Sequence, residues 1–238
     1  MATTAVFSGL SAILSIIISG FLLKSYLKSR NASLLAWALG LASYSVSHFL
    51  DAAFDLSIKG LELSPLLVNY FRGLTVMFFL AAVYYGIAIR LTDKKFLTTY
   101  LPLSTLALHA LIFYFGATVL DVALARSLVI SLITLPMSLA IGLMFISLER
   151  IRGLKGGLLV GAAWLAYAAL LPLYLLLLGK PEIIYFFAAR SLVSVLLFIG
   201  FIMLLKNDYW TQPKRIGTKS PAGKAAGKRR PKSAGKMR

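Results

Sequence analysis

The stretch that decides the fold is residues 183–205, IIYFFAARSLVSVLLFIGFIMLL, in which Arg190 is the one charged residue. An α-helix rises about 1.5 Å per residue, so about 20 apolar residues cross the ~30 Å hydrocarbon core of a bilayer. The stretch therefore predicts a transmembrane helix. The rest of the chain has the same character, because 59% of its 238 residues are apolar and 14% are charged. Soluble domains average about a quarter charged residues.

Seven stretches of this kind follow one another along the chain. They are residues 4–23, 34–56, 65–89, 97–115, 122–148, 157–178 and 183–205. The connections between them are short, which favours antiparallel neighbours in an up-and-down bundle. We therefore predict an all-α, polytopic membrane protein. Residues 1–208 form a seven-helix transmembrane bundle in this prediction, and residues 209–238 form a disordered polybasic tail.

The basic residues of the loops predict the orientation of the bundle, because cytoplasmic loops of membrane proteins are enriched in Lys and Arg. The first, third and fifth loops hold most of them, as Lys24, Lys28, Arg30, Arg90, Lys94, Lys95, Arg150, Arg152 and Lys155. The alternate loops hold Lys59 and Lys180. The predicted location is the cell membrane, with the N-terminus extracellular and the C-terminus cytoplasmic.

Three arginines lie inside predicted spans at matching depths. Arg72 is in the third span, Arg126 in the fifth and Arg190 in the seventh, each roughly one to two turns from the outer end. The sequence Ala-Arg-Ser-Leu-Val surrounds both Arg126 and Arg190, which indicates a repeated helical hairpin. An ionisable side chain at this depth is energetically costly, so by default it faces the bundle interior or a water-filled cavity.

The second span supplies the counter-charges. Tyr44, His48, Asp51 and Asp55 are spaced by four, three and four residues, which puts them on one helix face at the depth of the arginines. We therefore expect Asp51 or Asp55 to pair with Arg72. A guanidinium group is also suited to bind a carboxylate or a phosphate. The predicted ligand-binding residues are Arg72, Arg126, Arg190, Asp51, Asp55 and His48; the alternative is that Asp–Arg pairs only lock the helices together.

The C-terminal tail is strongly basic. Residues 211–238 contain ten Lys or Arg and no acidic residue, and Ala-Gly-Lys occurs in them three times. A segment with so little apolar surface does not fold on its own. We expect the tail to lie on anionic lipid headgroups, with the ribosome or other nucleic acid as its second possible partner.

Several activities are excluded because the chain lacks the residues that they require. The chain has no cysteine, which excludes disulfides and thiolate metal sites, and it has no HExxH, GxSxG, Walker or Cys/His metal-binding motif. A microbial rhodopsin needs a lysine in the seventh span, where this chain has Arg190. His48 and His109 are the two histidines of the chain. We expect them to be hydrogen-bonded core residues rather than ligands of a haem. We therefore predict no enzyme, no metal and no cofactor. The scarcity of Asn and Gln is a weak indication of a thermophilic source.

In outline, the seven spans and their predicted orientation resemble the seven-helix input modules that prokaryotic sensor proteins carry before kinase or cyclase domains. The resemblance implies a role in sensing. Because the basic tail is all that follows the last span, it also implies that an unidentified signalling partner is a separate protein.

Three functions remain open on the sequence. The leading hypothesis is a receptor-like or accessory binding protein, whose polar cavity in the outer half of the bundle holds a polar or anionic ligand. The second is a small transporter or lipid-handling protein, in which Pro136 and Pro172 interrupt helices near a binding site. The third is a membrane anchor that tethers ribosomes or nucleic acid through the tail.

Overall fold

The computed structural model describes residues 2–55, 65–118 and 122–206, and all regular structure in them is helical. Seven helices, named α1 to α7, are each long and apolar enough to cross a membrane. They are α1 (Ala2–Ser29), α2 (Ala32–Asp55), α3 (Pro65–Leu91), α4 (Phe96–Tyr100 and Leu101–Thr118), α5 (Val122–Val129, Ile130–Thr134 and Leu135–Arg152), α6 (Gly157–Leu177) and α7 (Ile183–Leu205). The prediction of seven spans is confirmed, and it indicates a multi-pass membrane protein. The predicted tail, residues 209–238, lies outside the described residues.

The helices form a closed ring. Each helix packs against the next one in the chain, α7 also packs against α1, and α3 also contacts α5. Short connections make neighbours antiparallel, so the odd-numbered helices all begin at one end of the bundle. We call this the amino end, and the opposite one the carboxy end. The residues that begin α3, α5 and α7 are therefore brought together with the last residues of α2 and α6.

Two helices contain a π-helical turn that comes directly before a Leu-Pro pair. Phe96–Tyr100 precedes Pro102 in α4, and Ile130–Thr134 precedes Pro136 in α5. A proline inside a helix has no N–H to donate, and its ring pushes away the carbonyl four residues earlier. The wider turn, with bonds between residues five apart, relieves that crowding. Both spans therefore remain continuous helices across the proline.

Serine hydroxyls join α1 to its two neighbours in the ring. The Ser11 hydroxyl oxygen lies 3.3 Å from that of Ser191 and 3.3 Å from that of Ser194, both on α7. On the other side of α1, the Ser19 hydroxyl donates to the Ala38 carbonyl of α2 at 2.7 Å. Small residues allow helices in a membrane to approach closely, and their hydroxyls hydrogen-bond across the interface. These contacts close the ring between the first and last helices.

The carboxy half of the bundle has an aromatic core. The Trp37 ring lies 5.3 Å from that of Phe145 and 5.6 Å from that of Phe201, measured between centroids. All three side chains are buried, and the Trp37 indole N–H donates to the Val83 carbonyl at 3.1 Å. Since tilted aromatic pairs of this kind pack closely, the interior of this half, between the helices, has little room for a polar ligand.

Glycines set the close packing of α5 on α6. A Cβ atom at Gly161 would lie 2.6 Å from the Gly142 carbonyl oxygen and 2.5 Å from Cγ1 of Ile146. At the turn between these helices, Gly156 has a φ of 105°, which a residue with a side chain rarely adopts. The two helices can therefore approach at this distance because these positions carry no side chain.

Candidate ligand-binding site

Asp51, near the end of α2, is the centre of a polar cluster at the amino end. Its side chain is buried, and its Oδ1 lies 2.8 Å from Nη1 of Arg72 on α3. Its Oδ2 accepts hydrogen bonds from Nη1 and Nη2 of Arg190 on α7, at 3.3 and 3.2 Å. One carboxylate thus connects three helices. The triad of Asp51, Arg72 and Arg190 has a formal charge of +1, because two guanidinium groups share one carboxylate.

Tyr174, near the end of α6, joins the third arginine to this cluster. Its hydroxyl oxygen accepts a hydrogen bond from Nη2 of Arg72 and another from Nη1 of Arg126 on α5, both at 3.1 Å. Its ring packs against Phe186 of α7, with centroids 4.8 Å apart. The hydroxyl therefore fixes the distance between two guanidinium groups that come from different helices.

Arg190 is the most deeply buried of the three arginines, with 8% of its surface exposed. Besides Asp51, its Nη2 donates to the Ser8 hydroxyl of α1 at 3.1 Å, and its guanidinium lies 4.8 Å from the Phe187 ring centroid. Its Nε has no hydrogen-bond partner among the described residues. A buried guanidinium that leaves one donor unused has capacity for a further acceptor.

All three arginines line one cavity of about 90 Å³, together with residues of α2, α4 and α6. The lining residues are Tyr44, Ser47, Arg72, Gly73, Val76, Met77, His109, Phe113, Arg126, Val129, Ile130, Thr134, Tyr167, Leu171, Tyr174, Phe186 and Arg190. A cavity of this volume has room for several water molecules. Of the two arginines that pair with Asp51, Arg72 is the more accessible, since 27% of its side chain is exposed against 10% for Arg190.

His109 of α4 brings a second kind of polar group to the cavity wall. The side chain is 1% exposed, and neither ring nitrogen has a hydrogen-bond partner within the described part of the chain. A Cβ atom at Gly73 would lie 3.1 Å from its Nε2 and 3.2 Å from the Phe113 ring, so the imidazole and the ring fill the space over this glycine. Buried polar atoms nearly always have a partner, so the imidazole is suited to bind a molecule in the cavity.

The π-helical turn of α5 forms part of the same wall. Ile130 and Thr134 begin and end the turn, and both line the cavity. The Thr134 hydroxyl donates to the Val129 carbonyl at 3.4 Å, within its own helix. Single π-helical turns are frequent at functional sites, because they shift side chains from the regular helical register.

Four of the six predicted site residues meet in this cluster: Arg72, Arg126, Arg190 and Asp51. The expected pairing of Arg72 with Asp51 is present. His48 lies beside the cluster, with Nδ1 4.0 Å from Oδ2 of Asp51, but it is buried under the Tyr44 ring and does not line the cavity. The side chain of Asp55 lies outside the described residues.

From the sequence, no ligand-binding role is predicted for Tyr174, Ser8 or His109. The histidines are expected there to be hydrogen-bonded core residues; His48 and His109 are buried, but their ring nitrogens have no hydrogen-bond partner among the described residues. Tyr174 and His109 lie at the same depth as the arginines, and this depth was the one available signal for them. Ser8 has no distinguishing pattern, because serines are frequent along the whole of α1.

The chain matches no protein-family model, no curated protein and no solved structure. Within the described residues, no group of three or more His, Cys, Asp or Glu side chains could hold a metal ion. What the site binds must therefore be argued from its own chemistry.

Proposed function

We propose that the protein is a receptor-like or accessory membrane binding protein whose amino-end cavity binds a small anion, either a carboxylate or a phosphate. The proposal rests on one observation: Arg72, Arg126 and Arg190 belong to three different helices and line one cavity. Arginine forms paired, charge-assisted hydrogen bonds with both anion types.

Helix locking alone accounts poorly for this arrangement. Buried charges that serve only packing are expected to be paired and fully hydrogen-bonded within the protein. Here Asp51 is shared by Arg72 and Arg190, and a cavity adjoins them. An anion in the cavity would balance the positive charge of the triad, and it could accept from Nε of Arg190.

The size of the cavity limits the ligand. Pockets for drug-sized molecules have volumes of about 300 Å³ or more, whereas this one has about 90 Å³. A small ligand with one or two anionic groups fits that space. His109 supplies a further hydrogen-bonding group to the lining of the cavity, which would favour a ligand with a polar atom besides its anionic group.

The proposed orientation directs the cavity to the cell exterior. The basic residues of the first and third loops, among them Lys28, Lys94 and Lys95, lie at the carboxy end of the bundle. Positive loop residues favour the cytoplasmic side. In this orientation the N-terminus and the cavity are outside, and the C-terminus is cytoplasmic.

Replacing Arg126 with Gln tests the proposal. Loss of a hydrogen bond to a charged group costs ~1.5–3 kcal/mol, which weakens binding by roughly 10- to 150-fold. The protein in lipid nanodiscs is titrated calorimetrically with acetate, succinate, inorganic phosphate and sulfate. We expect at least one of these anions to bind saturably, and the variant to weaken that binding.

Lys180→Gln is the matched control, because Lys180 is an exposed cation at the same end of the bundle, outside the cavity. It should change the affinity less than twofold. Equal losses in both variants would mean that general surface charge attracts the anion. Saturable binding of none of the four anions, or binding that Arg126→Gln leaves unchanged, contradicts the proposal.

A small transporter is the second candidate function, and the π-helical turn favours it. The turn puts an irregular piece of α5 directly in the cavity wall, next to Pro136. Transporters bind substrates beside interrupted helices. Uptake of the bound anion into proteoliposomes, lost in Arg126→Gln and kept in Lys180→Gln, would distinguish transport from binding alone.

A further inference from the structure

A second cleft lies at the carboxy end, where α1 and α7 end side by side. It has a volume of about 280 Å³ and is separate from the arginine cavity, with which it shares no residue. Three lysines line it: Lys24 and Lys28 from α1, and Lys206, which follows the last residue of α7. All three are exposed.

Among the residues that the structure describes, the lining of the cleft includes these three like charges and no acidic side chain. A cation near the end of one helix is favourable by itself, because it interacts with the negative end of the helix dipole. The helix dipole does not explain why lysines of two helices border the same cleft, where their charges repel each other. An anion between them removes the repulsion.

Apolar residues form the deeper part of the cleft. Phe21 lies one turn before Lys24 and Ser25 on α1, and Ile202 lies one turn before Lys206 on α7. Leu205 lies next to Lys206, and Phe21 is 48% exposed. Going from the membrane interior outward, the cleft therefore changes from apolar walls to a basic rim.

We propose that this cleft binds one anionic phospholipid. The phosphate group lies between Lys24, Lys28 and Lys206, and the Ser25 hydroxyl adds a polar group at the same level. An acyl chain lies along Phe21 and Ile202. Basic pockets between transmembrane helices bind acidic lipid headgroups by this combination of charge and apolar surface. A free phosphate ion in solution would leave the apolar walls without a partner, so the lipid is the occupant that uses the whole cleft.

The test is a lipid titration of the full chain in detergent, followed by native mass spectrometry. The probes are dioctanoyl phosphatidylglycerol, which is anionic, dioctanoyl phosphatidylcholine, which is zwitterionic, and inorganic phosphate. A triple variant, Lys24→Gln/Lys28→Gln/Lys206→Gln, removes the rim. Each lysine beside an anionic lipid contributes a factor of about five in affinity, so we expect the triple variant to lose about 100-fold.

The matched control is Lys94→Gln/Lys95→Gln/Lys155→Gln, which removes three exposed lysines at the same end but outside the cleft. The tail is intact in every variant, so its attraction for lipid is common to all. The proposal predicts one tightly retained phosphatidylglycerol, at least tenfold weaker phosphatidylcholine, and a control within threefold of the wild type. Equal losses in both triple variants, equal affinity for the two lipids, or displacement of the lipid by millimolar phosphate would overturn it.

Discussion

Replacing Asp51 with Asn removes one negative charge from the centre of the polar cluster and changes its shape little. Arg72 then loses the carboxylate at 2.8 Å, and Arg190 loses the carboxylate to which it donates two hydrogen bonds. An uncompensated buried charge costs ~3–5 kcal/mol. Arg72 is partly screened by water because 27% of its side chain is exposed, so Arg190 determines most of the effect. We expect the free energy of unfolding to fall by about 3 kcal/mol.

Thermal unfolding in detergent, followed by tryptophan fluorescence, measures this loss. For a chain of this length 1 kcal/mol corresponds to about 2–4 °C, so the midpoint should fall by about 6–12 °C. Glu182→Gln, at an exposed position directly before α7, should change it by at most about 2 °C. The double variant Asp51→Asn/Arg190→Gln should recover part of the loss, because the more deeply buried of the two uncompensated charges is then gone. A midpoint for Asp51→Asn within 2 °C of the wild type would refute the reasoning.

Two further substitutions test the packing and the cluster. Gly161→Ala puts a Cβ 2.6 Å from the Gly142 carbonyl oxygen, so α5 and α6 must separate, at a cost of ~1–3 kcal/mol in stability. A Cβ at Gly20 would have no atom within 4 Å, so Gly20→Ala should be neutral in the same thermal assay. Tyr174→Phe keeps the ring but removes the acceptor shared by two arginines; we expect ~1–3 kcal/mol lower stability and weaker anion binding, while the exposed Tyr185→Phe changes neither.

Hydropathy located the seven helices because the length of an apolar run is a local property of the sequence. The predicted spans 157–178 and 183–205 agree with Gly157–Leu177 and Ile183–Leu205 to within one residue. The first helix shows the limit of this signal, since it extends to Ser29, well beyond the predicted end at residue 23. A helix continues past its apolar run until the backbone changes, here at Arg30 with a φ of 55°.

The depth of the arginines and the pairing of Arg72 with Asp51 could be predicted, but the partners of Arg126 and Arg190 could not. Counting residues from the helix ends gives a height in the membrane. It does not give the direction in which a side chain points around the helix axis. The contact of Arg190 with Asp51 depends on how closely α7 approaches α2, and that follows from the closure of the ring between α1 and α7. No pattern within a single span carries this information.

The π-helical turns could not be predicted from the sequence either. Pro136 predicted an irregularity in the fifth span, but proline can be accommodated by a kink, a break or a wider turn. The choice of a π-helical turn, which brings Ile130 and Thr134 to the cavity wall, depends on the helices packed around α5. The ligand-binding role of the arginines remains a prediction that the experiments above address.

The serine contacts between α1 and α7 have a consequence for biosynthesis. The ribosome synthesises α1 before the other six helices and α7 after them. The partners of Ser8 and Ser11 on α7, which are Arg190, Ser191 and Ser194, are therefore synthesised long after the two serines. Arg72, by contrast, can meet Asp51 as soon as the third helix has entered the bilayer. Until α7 has been inserted, the ring is therefore open, and the hydroxyls of Ser8 and Ser11 lack the interhelical partners that they have in the completed bundle.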